Sequence, residues 1–363
     1  MLKRVSIQNF KSLKDVTLDL QKVNLLIGPN NSGKTNFLKA LEYLKVNYRA
    51  FPQRQDVALT FNRMGNSTQI FLTDDNEDPV HIDVTYNFYS EESSYKVYNS
   101  RVEFSGNGVV PNIQGQRELE QLFLGAQIYK PDPNKLIQPG PVGILAETVN
   151  VDASNLIGFL DRMLGNKYRK SVFDRIQADL RTCVPEFDEV SLDDASPTKE
   201  LKELFPSNSF KRLGLTNGNL GITYWADELS EGTLYFIALL CIVNQPNPPK
   251  LLILEEPEKG IHPRRIQEIM NFIRRLVAEK DIQVIMTTHS PMLLDEFAES
   301  PESVFVFDKD DDGATFVKNL QQDIIEPANQ KNAELGIPPV HYTDALGEYW
   351  TIGFLGGVPH ETA

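Results

Sequence analysis

Eight residues, "GPNNSGKT" from Gly28 to Thr35, restrict the fold more than any other part of the chain. They follow the apolar run "VNLLI" (Val23 to Ile27) and precede "TNFLKALEYLKV", in which Phe37, Leu41 and Leu44 recur at helical spacing. A short, wholly apolar run suits a strand buried on both faces. The periodic stretch suits a helix with one buried face. Between them, a G-x-x-x-x-G-K-[ST] loop lets successive backbone N–H groups curl around an anion at a helix start. In such a loop Lys34 contacts terminal phosphates and Thr35 offers a hydroxyl to Mg²⁺. The competing reading is a Gly/Asn-rich turn, and the flanking strand and helix weigh against it.

The same strand-helix rhythm returns near the C-terminal end. "LLILEEPEKGIHPRR" opens with a strand, Leu251 to Leu254, and a helix is expected from Pro263 to about Lys280. A third apolar strand, Ile282 to Thr288, ends in "TTHSP". Alternation of this kind predicts an α/β fold with a mixed, mainly parallel core sheet. Open α/β sheets gather ligands at the carboxyl ends of their strands, so Glu255 and Glu256 are expected beside the loop. Successive strand residues point to opposite sides, so one acid can face Mg²⁺ and the other a water at the γ-phosphate. An acidic cap on the following helix is the plainer alternative. His289 either meets the γ-phosphate or its water, or is structural.

Elsewhere the chain alternates strand and helix signals. Val5 and Ile7, then Val16, Leu18 and Leu20, predict two neighbouring strands, and "VHIDVTYNFY" within residues 50 to 120 predicts an antiparallel side sheet. A helical lobe is expected over 130–224, one helix capped by Asp152 or Ser154 and another spanning Tyr168 to Arg181. "LSEGTLYFIALLCIV" reads as a deeply buried helix closed by "NQPNPPK". The divisions drawn are 1–129, the first part of the head with the phosphate loop and side sheet; 130–224, the lobe; 225–324, the second part of the head; and 325–363, a tail. In that tail, Tyr349, Trp350, Ile352, Phe354 and Leu355 serve packing or partner docking. "DKDDDG" imitates a calcium loop but has Asn319 where the twelfth-position glutamate belongs, so a hairpin turn is expected.

Of the 363 residues 41% are apolar and 24% charged, with no apolar run near the ~20 residues a membrane span needs. The N-terminus lacks a signal-peptide core, which gives a cytoplasmic expectation. Cys183 and Cys241 are far apart and are read as buried small hydrophobes. A net charge of −14 opposes wrapping by polyanions. Any DNA or RNA must therefore use local clusters (Lys167, Arg169, Lys170; Lys211, Arg212; Arg264, Arg265, Arg274, Arg275), which singly read as solvated faces.

The motifs "FKSLKDVTLDL", "GPNNSGKTN", "LSEGT", "LLILEEPEKGIHP" and "TTHSP", in this order, resemble the ATP-binding cassette ATPases. The likeness is to the heads of the RecF, structural-maintenance-of-chromosomes and overcoming-lysogenization-defect class. It implies a P-loop ATPase that uses Mg²⁺ and holds ATP through Gly28, Asn30, Asn31, Ser32, Gly33, Lys34, Thr35 and Asn36, with Lys11 as a further basic contact. It casts Glu256 as general base, Glu255 beside the metal with Thr35, and His289 as the switch histidine. Ser230, Glu231 and Gly232 would be the signature that completes a second copy's site. Glu255 replaces the aspartate of many relatives, Glu231 replaces a glycine of transporter cassettes, and Gln127 is the one candidate for the Q-loop glutamine. Without a coiled coil or zinc hook, the chain resembles a short stand-alone head with no Toprim domain. The implied partners are a second copy and a separate effector such as a nuclease, in anti-phage defence or DNA repair. An ATP-gated scaffold with little hydrolysis is the alternative.

Overall fold

A computed structural model describes residues 1–49, 67–74, 79–91, 94–105, 126–259 and 261–358. Its strands are β1 (Leu2–Phe10), β2 (Leu13–Asp19), β3 (Val23–Ile27), β4 (Ser67–Asp74), β5 (Pro79–Glu91), β6 (Ser94–Ser105) and β7 (Gln127–Tyr129). They continue as β8 (Gly140–Pro141), β9 (Glu189–Asp194), β10 (Phe210–Asn217), β11 (Ile222–Trp225), β12 (Leu251–Glu255), β13 (Gln283–Thr287), β14 (Val304–Lys309) and β15 (Thr315–Asn319). The chain divides into two compact units.

The first unit comprises 1–128, 250–257 and 277–363. Its core sheet runs β15-β14-β3-β13-β12-β7, with β12, β13, β3 and β14 parallel and β15 antiparallel at the edge. The sheet is therefore mixed and mainly parallel, as its apolar runs imply. A side sheet, β2-β1-β4-β5-β6, is antiparallel throughout. Leu25, Leu26, Phe37, Leu41, Leu251, Ile253, Ile285 and Phe307 are fully buried. Burying each such side chain stabilises the unit by ~1.5–3 kcal/mol. The side chains of Leu44 and of the Val80 to Phe88 alternation lie outside the described residues.

Two side chains do the work of backbone in this core. Gln283 accepts from Leu2 N (2.9 Å) and donates to the carbonyls of Leu2 (2.8 Å) and Gln21 (2.9 Å), fastening β1 to the start of β13. Near the C-terminus, the helix Leu346–Thr351 buries Trp350, whose Nε1 donates to Gly357 O at 3.1 Å. Leu355 is buried there too, whereas Ile352 and Phe354 are exposed. "DKDDDG" makes the expected hairpin turn: Asp310 Oδ1 accepts from Ala314 N at 2.7 Å, and β14 pairs with β15.

The second unit comprises 129–249 and 258–276. The lobe holds the helices Leu156–Gly165 and Lys170–Cys183, but also a sheet in which β10 pairs with β8, β9 and β11, which is more strand than expected. Burial along these strands is mixed, from Leu213, Gly214 and Leu215 buried within β10 to Ile222 exposed on β11, so their sequences carry neither a long apolar run nor a sustained alternation. The first helix begins after Asn155, not from Asp152 or Ser154. Asp152 Oδ1 instead accepts from Ser154 N in a local turn, with Ala153 left-handed. The second starts at Lys170 rather than Tyr168. Cys183 is half-buried and accepts from Arg275 Nη2 at 2.6 Å, so it is no plain hydrophobe, while Cys241 is fully buried.

A candidate nucleotide site

The loop from Gly28 to Gly33 leaves β3 and enters the helix Lys34–Arg49. Two glycines are fixed by sterics. Gly28 has φ +141, and a Cβ there would sit 2.2 Å from Phe307 O. Gly33 has φ +111, and its Cβ would sit 2.2 Å from Thr315 Oγ1. Asn31 is also left-handed, at φ 66, the kind of backbone that curls a loop around an anion, and Ser32 N closes the turn on Pro29 O at 3.2 Å.

Lys34 turns back into this curl. Its Nζ donates to Gly28 O (2.7 Å) and Pro29 O (3.0 Å), and it is 5% exposed. Burial lowers its pKa to about 8, against the opposing pull of Glu256 and Glu255. A desolvated ammonium held by neutral carbonyls, with two carboxylates near, suits a polyanion. Ser32 Oγ is buried without a hydrogen-bond partner and lies in the same curl, as a phosphate-facing hydroxyl would.

The acids arrive as expected, at the carboxyl end of β12. Thr35 Oγ1 donates to Glu255 Oε1 at 3.1 Å. Two hard oxygen donors this close suit Mg²⁺, which when bound would neutralise phosphate charge. The split between the acids, however, is not made by strand alternation. β12 ends at Glu255, and Glu256 takes φ 50 while its N–H still reaches Thr287 O (3.2 Å) and Oγ1 (3.3 Å). A left-handed step costs a non-glycine residue ~1–3 kcal/mol and holds it off the sheet axis. Its Oε1 lies 3.8 Å from His289 Nε2. Burial, then Lys34, lowers the pKa of His289, while Glu256 raises it.

Lys34, Thr35, Glu255, Glu256 and His289 therefore converge within the first unit. Ser230, Glu231 and Gly232 belong to the second. There Ser230 caps the helix Glu231–Asn244, its Oγ accepting from Thr233 N at 3.2 Å, and the helix is buried from Gly232 onward. Asn36 turns its amide to Ser12 Oγ at 2.9 Å rather than toward the loop. The Lys11 ammonium lies 5.8 Å over the Phe10 ring, its pKa lowered by burial and then by Lys39. Gln127 lies on β7, the neighbour of β12. Thr315, which touches the loop through Ser32 O, carries no motif, and Ser12 behind it lies within "FKSLKDVTLDL" without being singled out; only their place in the fold reveals them.

Among the basic residues, Lys211 pairs with Asp161 (2.7 Å), Arg212 with Asp193 (3.0 Å), Arg169 with Glu147 (2.9 Å) and Arg265 with Glu186 (3.3 Å). A polyanion would have to compete with these carboxylates. Among the described residues, no cluster of ligating side chains for a structural metal occurs, and no helix is long and apolar enough to cross a membrane.

This sheet and site define an ATP-hydrolysing enzyme of the ATP-binding cassette type. Residues 23–295 match the family described as "AAA domain, putative AbiEii toxin, Type IV TA system", and the chain belongs to it. It is 23% identical over 334 residues to an OLD nuclease of Thermus scotoductus, matching 81% of this chain and 60% of that protein. It is 30% identical over 142 residues to the DNA replication and repair protein RecF of Moorella thermoacetica, matching 39% of this chain and 34% of that one. The chain thus spans less than two thirds of either relative. Among solved structures, an Smc head bound to the C-winged helix domain of ScpA matches with a TM-score of 0.55 at 15% identity, over 87% of this chain and 96% of the other. The Smc head from Pyrococcus furiosus, bound to the C-terminal domain of ScpA, matches with a TM-score of 0.53 at 12% identity, over 92% and 99%. Both show the fold.

Proposed function

We propose that two copies of this chain associate head to tail, each phosphate loop facing the other copy's "LSEGT", and that ATP turnover in this sandwich controls a nucleic-acid-linked partner in the cytoplasm. One observation carries the reading. The groups for phosphate, metal and base chemistry converge in the first unit, while the exposed Ser230 heads a buried helix in the second. Each copy holds both halves of a composite site.

Within that site Lys34 and the loop N–H groups bind the phosphates, and Thr35 with Glu255 would hold Mg²⁺. Glu256, set apart by its left-handed backbone, takes the proton of the attacking water. His289, kept neutral at physiological pH by burial and by Lys34, orients that water or donates to the γ-phosphate. The partner reading draws support from the OLD nuclease and RecF likenesses and from the ScpA-bound heads. A separate nuclease is the effector class it favours, with the exposed Ile352 and Phe354 as a place for such a chain to rest.

Glu256→Gln tests the assignment. Hydrolysis should fall by roughly 10²–10⁴-fold, the usual contribution of a general base, with ATP affinity retained. Size-exclusion chromatography with ATP should then show the variant held as a dimer. Undiminished steady-state turnover would remove Glu256 from the mechanism.

A further inference from the structure

The phosphate loop is held from outside by a hydrogen-bond chain whose members lie far apart in sequence. Thr315, first residue of β15 and 3% exposed, donates from Oγ1 to Ser32 O at 2.8 Å. Its Oγ1 also lies 2.7 Å from Ser12 Oγ, and its backbone N–H donates to Ser12 O at 2.8 Å. Ser12 Oγ in turn accepts from Asn36 Nδ2 at 2.9 Å. The protons can run only one way. The Thr315 hydrogen is committed to the carbonyl, so the Ser12 hydroxyl donates to Thr315, and Asn36 donates to Ser12. Each donor polarises the next, and the chain ends on the Ser32 carbonyl.

That carbonyl belongs to the Ser32–Gly33 peptide. In a trans peptide the C=O and the following N–H point in opposite directions. A carbonyl pinned to Thr315 therefore turns the Gly33 N–H away from β15 and toward the curl that would hold an anion. Gly33 must be glycine for the same reason, since any Cβ would fall on Thr315 Oγ1.

We infer that Thr315, with Ser12 and Asn36 behind it, is the positioning group that aims the Gly33 N–H at the bound phosphate chain. This also gives the "NFKSL" turn a role through Ser12 in addition to Lys11. A donor to a phosphate that is not transferred stabilises ground and transition states alike, so its loss should appear in KM more than in kcat.

The test uses the full chain with ATP. Thr315→Val keeps the branched shape and removes the hydroxyl, and Thr315→Ser keeps the hydroxyl. Removing one buried donor predicts roughly tenfold weaker ATP binding by calorimetry and a matching rise in KM for Thr315→Val, with kcat within about twofold. Thr315→Ser should return affinity to within about twofold of the parent chain. Parent-like affinity in Thr315→Val, or equal loss in both variants, would overturn the inference. If Thr315→Val does not fold, Ser12→Ala decides: about threefold weaker binding supports the chain, and unchanged binding overturns it. The calorimetric readout needs no partner and no turnover, so it separates failure of this inference from failure of the proposed two-copy site.

Discussion

Glu256 and His289 show what single residues disclose and conceal. The paired acids and the histidine are legible because open α/β sheets gather ligands at the carboxyl ends of their strands, and the sequence puts them there. The left-handed φ of Glu256 is not legible, since nothing in "EEPEKG" requires it; in the fold it goes with hydrogen bonds from the Glu256 N–H to Thr287. The Glu256 carboxylate also enters a measurable balance at His289. Burial and the Lys34 charge hold its pKa below the ordinary histidine range, and the Glu256 carboxylate pulls it up. The imidazole is therefore neutral at physiological pH, and turnover should keep its plateau to pH values below the usual histidine midpoint of ~6.5. Glu256→Gln deletes the only upward pull among these, so NMR titration of His289 should give a lower pKa in that variant than in the parent. A higher value would mean that Glu256 does not face the ring.

Elements were legible where one rule dominated. Buried parallel strands announce themselves as unbroken apolar runs, and β3, β12 and β13 stand where those runs are. β9, β10 and β11 are not legible because their buried, half-buried and exposed residues make neither a long run nor a sustained alternation. Gln283 is the subtler case. In "IQVIMT" it reads as a polar break, yet it is 2% exposed and supplies three hydrogen bonds to backbone groups of Leu2 and Gln21. Hydropathy would rank leucine above glutamine there. The structure predicts the reverse: Gln283→Leu strands those backbone groups in the core and should cost roughly 3–5 kcal/mol, read from the urea midpoint at unchanged m. An equal or higher midpoint would show that β1 is fastened by other means.

At the scale of the molecule, the first unit holds the phosphate loop, Glu255, Glu256 and His289, while the second holds "LSEGT". In the proposed reading, motif order alone supplies both halves of a cassette site. It does not show that they are exchanged between copies, because that depends on association rather than on any one chain's sequence. The proposed head-to-tail sandwich makes the exchange testable by mixing. Lys34→Ala disables a copy's phosphate loop but leaves its signature whole, and Ser230→Arg does the opposite. Each variant alone should be inactive. In an equal mixture with random pairing, half the dimers are mixed, and one of their two sites joins an intact loop to an intact signature. About a quarter of all sites should then turn over, so activity should reappear on mixing two inactive proteins. Specific activity of the parent chain should likewise rise with protein concentration until dimers saturate. A mixture as dead as its components, with specific activity flat across concentration, would place the complete site within one copy.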